Sequence, residues 1–312
     1  MLLKQVMQVV ELLDRPEVPA EDVARLFSAP GVPGAEIHAE RGPTLMFKLL
    51  IPGSQGKSTG GDAPTLGITG YLGGIGSRPQ KIGLVSDADG CVATLAAALK
   101  LVQMHRDGDR LPGDVFATTH ITTHAVIKPH HLVTFMDSPV DIATRNRYLI
   151  DSRMEAILSL DTTRGNRIIN HRGFALTPTV KEGYILRVSE DLLQIQQDVT
   201  GRLPVVLAIT TQDITPYGNG VFHLNGMMQP ATVTGAPVVG VAITSEVVVS
   251  GAATGVGHEV DIEAAARFAV EVAKAFAGGS IGFYDPAEFE RLVNLYGSMR
   301  HLQTLGQACA GT

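Results

Sequence analysis

Apolar side chains recur three and four apart over residues 2–14 and again over 20–28, which predicts two short amphipathic helices broken by the RPEVP run. The second carries acids in its first turn, the end that the helix dipole favours. TLMFKLLIPG (44–53) is apolar and stops at Pro-Gly, so it reads as a strand, and a polar glycine-rich loop, SQGKSTGGDAP, follows it. TLGITGYLGGIG reads as a strand running into a glycine-rich turn, and KIGLVSDADG as a strand ending in acids. CVATLAAALKLVQMHRDG predicts a helix of about four turns, stopped by Asp-Gly. DVFATTHI and LSLDTT are further strands. TVKEGYILRV, LPVVLAIT and APVVGVAITSEVVV are β-branched and strand-like, with the helix SEDLLQIQQDVTG among them. DIEAAARFAVEVAKAFAGG is a closing helix, with acids at its start, Lys near its end and Gly after it. The tail ERLVNLYGSMRHLQ predicts one more helix.

Strands alternate with helices, and several strands are apolar on both faces. That predicts a three-layer α/β/α sandwich with a mostly parallel mixed sheet. We read residues 1–312 as one α/β domain, with N-terminal helices over 1–30 and a C-terminal extension over 285–312.

Composition narrows the partners. The 312 residues are 45% hydrophobic and 18% charged with net charge −6, and no basic block or basic-aromatic stripe occurs, which argues against nucleic acid. Aromatic residues are 5% with no Trp, so a stacking platform is not expected. The two cysteines, Cys91 and Cys309, are too few for a disulfide scaffold or a cysteine zinc site and suit a reduced, cytoplasmic setting. The first residues carry acids and helical spacing, unlike a signal peptide, and no apolar run suffices for a membrane span.

Candidate chemistry gathers where strands end. GSQGKS (53–58) lacks phosphate-loop spacing: Ile51 stands where the first Gly belongs, so a solvated surface loop is expected. SDADG (86–90) puts two carboxylates between a strand and a helix; Asp87 is either a site residue or a cap, and Asp89 reads as the cap. THITTHAVIKPHH (119–131) holds four of the ten histidines; His120 and His124 follow the strand, whereas His130 and His131 follow Pro129 as loop residues. Asp161 ends another strand. His258 lies in a glycine-rich loop before the last helix, with Asp261 as that helix's cap. Asp87, His124 and His258 could meet above one sheet edge, and carboxylate with imidazole suits zinc or another transition metal.

The order of these motifs resembles that of the co-catalytic zinc aminopeptidases and carboxypeptidases, over roughly residues 65–280. SDADGCVA follows their S-D-x-x-G-G-h-A pattern except that Cys91 stands at its second Gly, with Asp87 in the place of the metal-bridging Asp. DVFATTHITTHAV follows the helix at the expected distance for their next strand, and threading it without gaps puts Thr123 in the place of the catalytic Glu and His124 in that of a metal-binding Glu. LSLDTT puts Asp161 on the next ligand, and GVGHEVDIEAAARF puts His258 on the ligand His. The His of their upstream H-x-D is absent: the strand here reads GITGYLGG. The resemblance implies a zinc-peptidase-like fold and a metal-dependent hydrolase-like protein acting on a small amide or peptide. One divalent metal, zinc foremost, would sit on Asp87, His124 and His258, with Asp161 or His120 as the base. It also implies a homo-oligomer. The missing His and Glu raise an alternative, a non-catalytic small-molecule-binding protein with an eroded peptidase-like centre. Metal-free acid–base chemistry by His and Asp is a third reading. The whole chain, through PTLGITGYLGGIG, DSPVDIATRNR and TTQDITPYGNG, also resembles the domain of unknown function 1177 family, which implies no established activity.

Overall fold

A computed structural model of the chain describes residues 2–28, 32–33, 36–71, 76–77, 81–82, 84, 87–123, 125–128, 135–163, 165–210, 215–217, 220–246 and 258–304. The two N-terminal helices form as the spacing predicts, α1 (Leu3–Leu13) and α2 (Ala20–Ser28). Strands β1 (Glu36–Arg41), β2 (Leu45–Ile51) and β3 (Leu66–Gly70) follow, then a small hairpin, β4 (Gly76–Ser77) and β5 (Lys81–Ile82). Helix α3 (Asp89–Arg106) leads to β6 (Val115–Ile121) and a second hairpin, β7 (Val126–Lys128) with β8 (Phe135–Asp137). Next come α4 (Ile142–Leu149), β9 (Ala156–Thr162), β10 (Gly173–Leu176), β11 (Val180–Lys181), β12 (Tyr184–Ile185) and α5 (Glu190–Thr200). The chain closes with a 3-10 turn at Gly226–Thr232, β13 (Val238–Thr244), α6 (Glu259–Ala277) and α7 (Pro286–Tyr296).

Among the described residues nine strands make one mixed sheet, in the order β1-β2-β6-β3-β9-β13-β11-β12, with β10 also paired to β13. The four central strands, β6, β3, β9 and β13, are parallel. Their immediate neighbours β2, β10 and β11 are antiparallel to them. β3 lies between β6 and β9, so the chain leaves β3 to one side and later returns across it to the other. Such a reversal of strand order opens a crevice at the carboxyl ends of the strands. The start of α3 closes tightly on this crevice: a Cβ on Gly90 would stand 2.5 Å from the Leu160 carbonyl oxygen and 2.8 Å from that of Tyr71.

Alternation along the strands separates two faces. Leu66 and Ile68 of β3, Val115, Ala117 and Ile121 of β6, and Leu158 and Leu160 of β9 share one core with α1, α3 and α6. Phe116, Ile157, Val238 and Ala242 point the other way, onto the turn at Gly226–Thr232, and Tyr71 packs there with Leu149 of α4. The expected three layers are therefore present, and helices α3 and α6 fill most of the first.

Some elements differ from expectation. KIGLVS supplies only the two residues of β5, in a hairpin off the main sheet. TVKEGYILRV folds back on itself as β11 and β12, because Glu182 and Gly183 take positive φ, 49° and 84°, at a tight turn. LPVVLAIT makes only an isolated bridge, Val206 to Leu176: Leu203 is 81% exposed and Pro204 has no N–H to give a ladder. Asp89 is the first residue of α3 rather than its cap, which is Ala88. Asp261 lies inside the first turn of α6, capped by His258, and pairs with Arg172 at 3.5 Å. The loop SQGKSTGGDAP is tied down by buried Asp114, whose carboxylate accepts from Gly53 N at 2.8 Å and from Ser58 N and Oγ at 2.8 and 2.7 Å.

Candidate active site

The carboxyl ends of β3, β6 and β9 deliver three side chains to the α4 side of the sheet. Tyr71 directly follows β3; His120 shares a face with Phe116 on β6; Asp161 shares one with Ile157 on β9. All three are buried. The rings of Tyr71 and His120 meet edge-on, centroids 6.3 Å apart. Asp161 Oδ1 accepts from Thr162 N at 2.7 Å.

Helix α4 completes the cluster. Asp141 caps it, accepting from Thr144 N at 2.9 Å, and so fixes the register that turns Arg145, Asn146 and Leu149 inward. The Tyr71 hydroxyl donates to Asn146 Oδ1 at 2.9 Å, Asn146 Nδ2 donates to the Gln229 carbonyl at 3.1 Å, and Arg145 Nη2 donates to Gln229 Oε1 at 3.3 Å. Below it, Thr118 donates to Thr69 at 3.0 Å, and Ser159 donates to the Met227 carbonyl. A row of polar side chains thus crosses a face that is otherwise apolar.

Burial sets the protonation states. His120 is held well below its usual range, first by desolvation and then by the Arg145 guanidinium, so it is neutral at pH 7. Desolvation drives the Tyr71 phenol far up, with Arg145 opposing and Asp161 adding to the rise. Tyr71 therefore keeps its proton at any ordinary pH and serves as a donor, not a base. Cys91, in the first turn of α3, is buried and pushed up to about 12, so its thiol is inert.

The residues expected from the sequence divide between the two faces. His120 and Asp161 come together with Tyr71 on the α4 side. Asp87 lies in the turn before α3, and His258 caps α6, two helices that pack on the other face. His124, His130 and His131 lie outside the described residues. Among the described residues no group of three or more His, Cys, Asp or Glu stands close enough to hold a metal ion. Among the described residues, Nε2 of His258 is buried and has no hydrogen-bond partner. Sequence reasoning missed Tyr71, Arg145, Asn146 and Gln229. The signal for their surroundings was period-two polarity, Thr118 with His120 and Ser159 with Asp161, inside strands otherwise built of apolar residues.

The chain belongs to the DUF1177 family, whose description is protein of unknown function and whose match covers residues 35–306. No curated protein matches it. Among solved structures, a tomato leucine aminopeptidase variant superimposes with a TM-score of 0.50 at 14% sequence identity, over 85% of this chain and 60% of that one. At that identity the likeness establishes a shared peptidase-like α/β fold. This chain spans about 60% of the aminopeptidase's length. No helix among the described residues is long and apolar enough to cross a membrane.

Proposed function

From membership in a family without an assigned activity, we propose that the chain is a hydrolase that acts on a small amide or peptide at the carboxyl edge of its parallel strands. The observation that carries this reading is the burial of His120, Arg145 and Asp161 together at the switch point of the sheet. Burying ionisable groups costs stability, and α/β folds do so where ligands bind.

Asp87, His124 and His258 are the residues that would hold a divalent cation, and one carboxylate with two imidazoles suits zinc. The orphaned Nε2 of His258 fits that assignment. What such a cation supplies is Lewis acidity toward an amide carbonyl and its attacking water. In the cluster, Asp161 is the carboxylate that accepts a proton. Neutral His120 accepts or donates a hydrogen bond without competing for that proton. The bond from Tyr71 to Asn146 holds α4 against the strand ends. Thr123, half-buried in the bend after β6, has no base character at neutral pH. That residue favours the second reading, a binding protein that keeps the fold without the chemistry.

Protein purified without an affinity tag, assayed for metal and offered amino-acid amides and dipeptides, tests both. The hydrolase reading expects a divalent cation that is lost in His258→Ala. It also expects hydrolysis that falls about 10²- to 10⁴-fold in Asp161→Asn, with the metal retained. No metal on purification together with none on titration overturns it. A small molecule retained without metal establishes the second reading in its place.

A further inference from the structure

A cavity of about 840 Å³ opens toward the opposite edge of the sheet, between the face of α4 that carries Ala143, Asn146 and Arg147 and the amino ends of β9 and β13. That volume is in the range of small-molecule sites. Ile150, Met154, Pro237 and Tyr284 give its lining an apolar part. Asn146, the residue that receives the Tyr71 hydroxyl, also lines it.

Three charged side chains line it, and two are already committed. Glu155 pairs with Lys57 at 2.8 Å and accepts from Thr65 N at 2.8 Å. Lys181 donates to the Gly235 carbonyl at 2.7 Å and to Glu182 at 3.1 Å, and it lies over the rings of Tyr284 and Phe289 at 5.4 and 5.1 Å. The third, Arg147, is exposed and makes no ion pair or hydrogen bond among the described residues. The uncommitted charge of the cavity is thus one guanidinium, in a lining that also includes apolar side chains.

We propose that this cavity is a second binding site, separate from the crevice at the carboxyl edge, for a small monocarboxylate with an apolar body the size of an acylated amino acid. The carboxylate takes the Arg147 fork, which matches it in geometry as well as charge. The apolar body covers Ile150, Met154 and Pro237. An occupant touching Asn146 borders the Tyr71 cluster from its far side.

The test is a calorimetric titration of the full chain with N-acetyl-leucinate, with N-acetyl-leucinamide as its uncharged match. The proposal expects one molecule of the carboxylate per chain, bound at least tenfold more tightly than the amide. Arg147→Gln, a change at an exposed position, should remove that preference. Ala143→Trp, which fills the cavity from α4, should abolish binding of both compounds. His258→Ala should leave binding unchanged, and this separates the cavity from the proposed catalytic centre. Equal affinity for carboxylate and amide, or full binding by both Arg147→Gln and Ala143→Trp, overturns the proposal, as does loss of binding in His258→Ala.

Discussion

Tyr71→Phe is the sharpest probe of the buried cluster, because it removes one oxygen and leaves the ring in place. Tyr71 and Asn146 are both fully buried, and the hydroxyl gives Asn146 Oδ1 its hydrogen bond at 2.9 Å. Without that donor the amide oxygen is desolvated and unpaired, which costs about 1–3 kcal/mol. The chain has 312 residues, and an unfolding entropy of roughly 2.1 cal/mol/K per residue gives about 0.65 kcal/mol per degree. A loss of about 2 kcal/mol therefore lowers Tm by about 3 °C. Asn146→Ala costs more, since it also frees the Gln229 carbonyl and opens a cavity. The assay is denaturant unfolding of both single variants and the double. If the two side chains act through their shared bond, the double variant is destabilised by less than the sum of the singles, by about 1–2 kcal/mol. Additivity to within about 0.3 kcal/mol would show that the bond does not hold α4 to the strand ends, and the account of the cluster given above would be refuted.

Two further changes test the same region. His120 is neutral in the folded chain because its pKa is depressed, whereas the unfolded chain takes up a proton near pH 6.5; stability is therefore present above that pH and lost as pH falls below it. Between pH 6.5 and 5.5 the wild type should lose about 1 kcal/mol more than His120→Gln, and parallel losses in the two proteins would refute the assignment. Gly90→Ala sets a methyl 2.5 Å from the Leu160 carbonyl and 2.8 Å from that of Tyr71, both backbone atoms that cannot swing aside. It should cost about 1–3 kcal/mol by forcing α3 away from the crevice, and an unchanged melting temperature would count against so close a helix–strand approach.

The long periodic elements were legible in the sequence because burial on one stripe leaves a repeat that no local competitor erases. Helices α1, α2, α3, α5 and α6 lie where their spacing puts them, and so do β2, β3, β6, β9 and β13. LPVVLAIT and KIGLVS misled for one reason: β-branched composition reports a fit to a half-buried surface, and tertiary pairing decides whether such a surface is offered. Caps were misassigned where several polar residues compete within one turn, as Asp87, Asp89, His258 and Asp261 do. The site was half legible. His120 and Asp161 were picked out as strand-end residues, and both are buried at the carboxyl ends of their strands on the side of Tyr71. Their partners in α4 and in the turn at Gly226–Thr232 lie near in space and distant in sequence, so only the fold brings Asn146 and Gln229 to Tyr71.

The chemistry of the cluster follows from its dielectric rather than from its likeness to any enzyme. A guanidinium, a carboxylate and an imidazole buried together cannot all be charged without cost, and here the imidazole gives up its proton. Arg145 on α4 and Asp161 at the end of β9 both act on the Tyr71 phenol. Buried ionisable groups are a weak source of stability, because desolvation offsets their attractions. Well-packed apolar residues would serve the core better, and the same face uses them elsewhere at Phe116, Ile157 and Ala242. The polar row is confined to the carboxyl half of the sheet, where strand order reverses. Packing accounts for its hydrogen bonds but not for its place, and that place is the ground on which a ligand at the crevice is proposed.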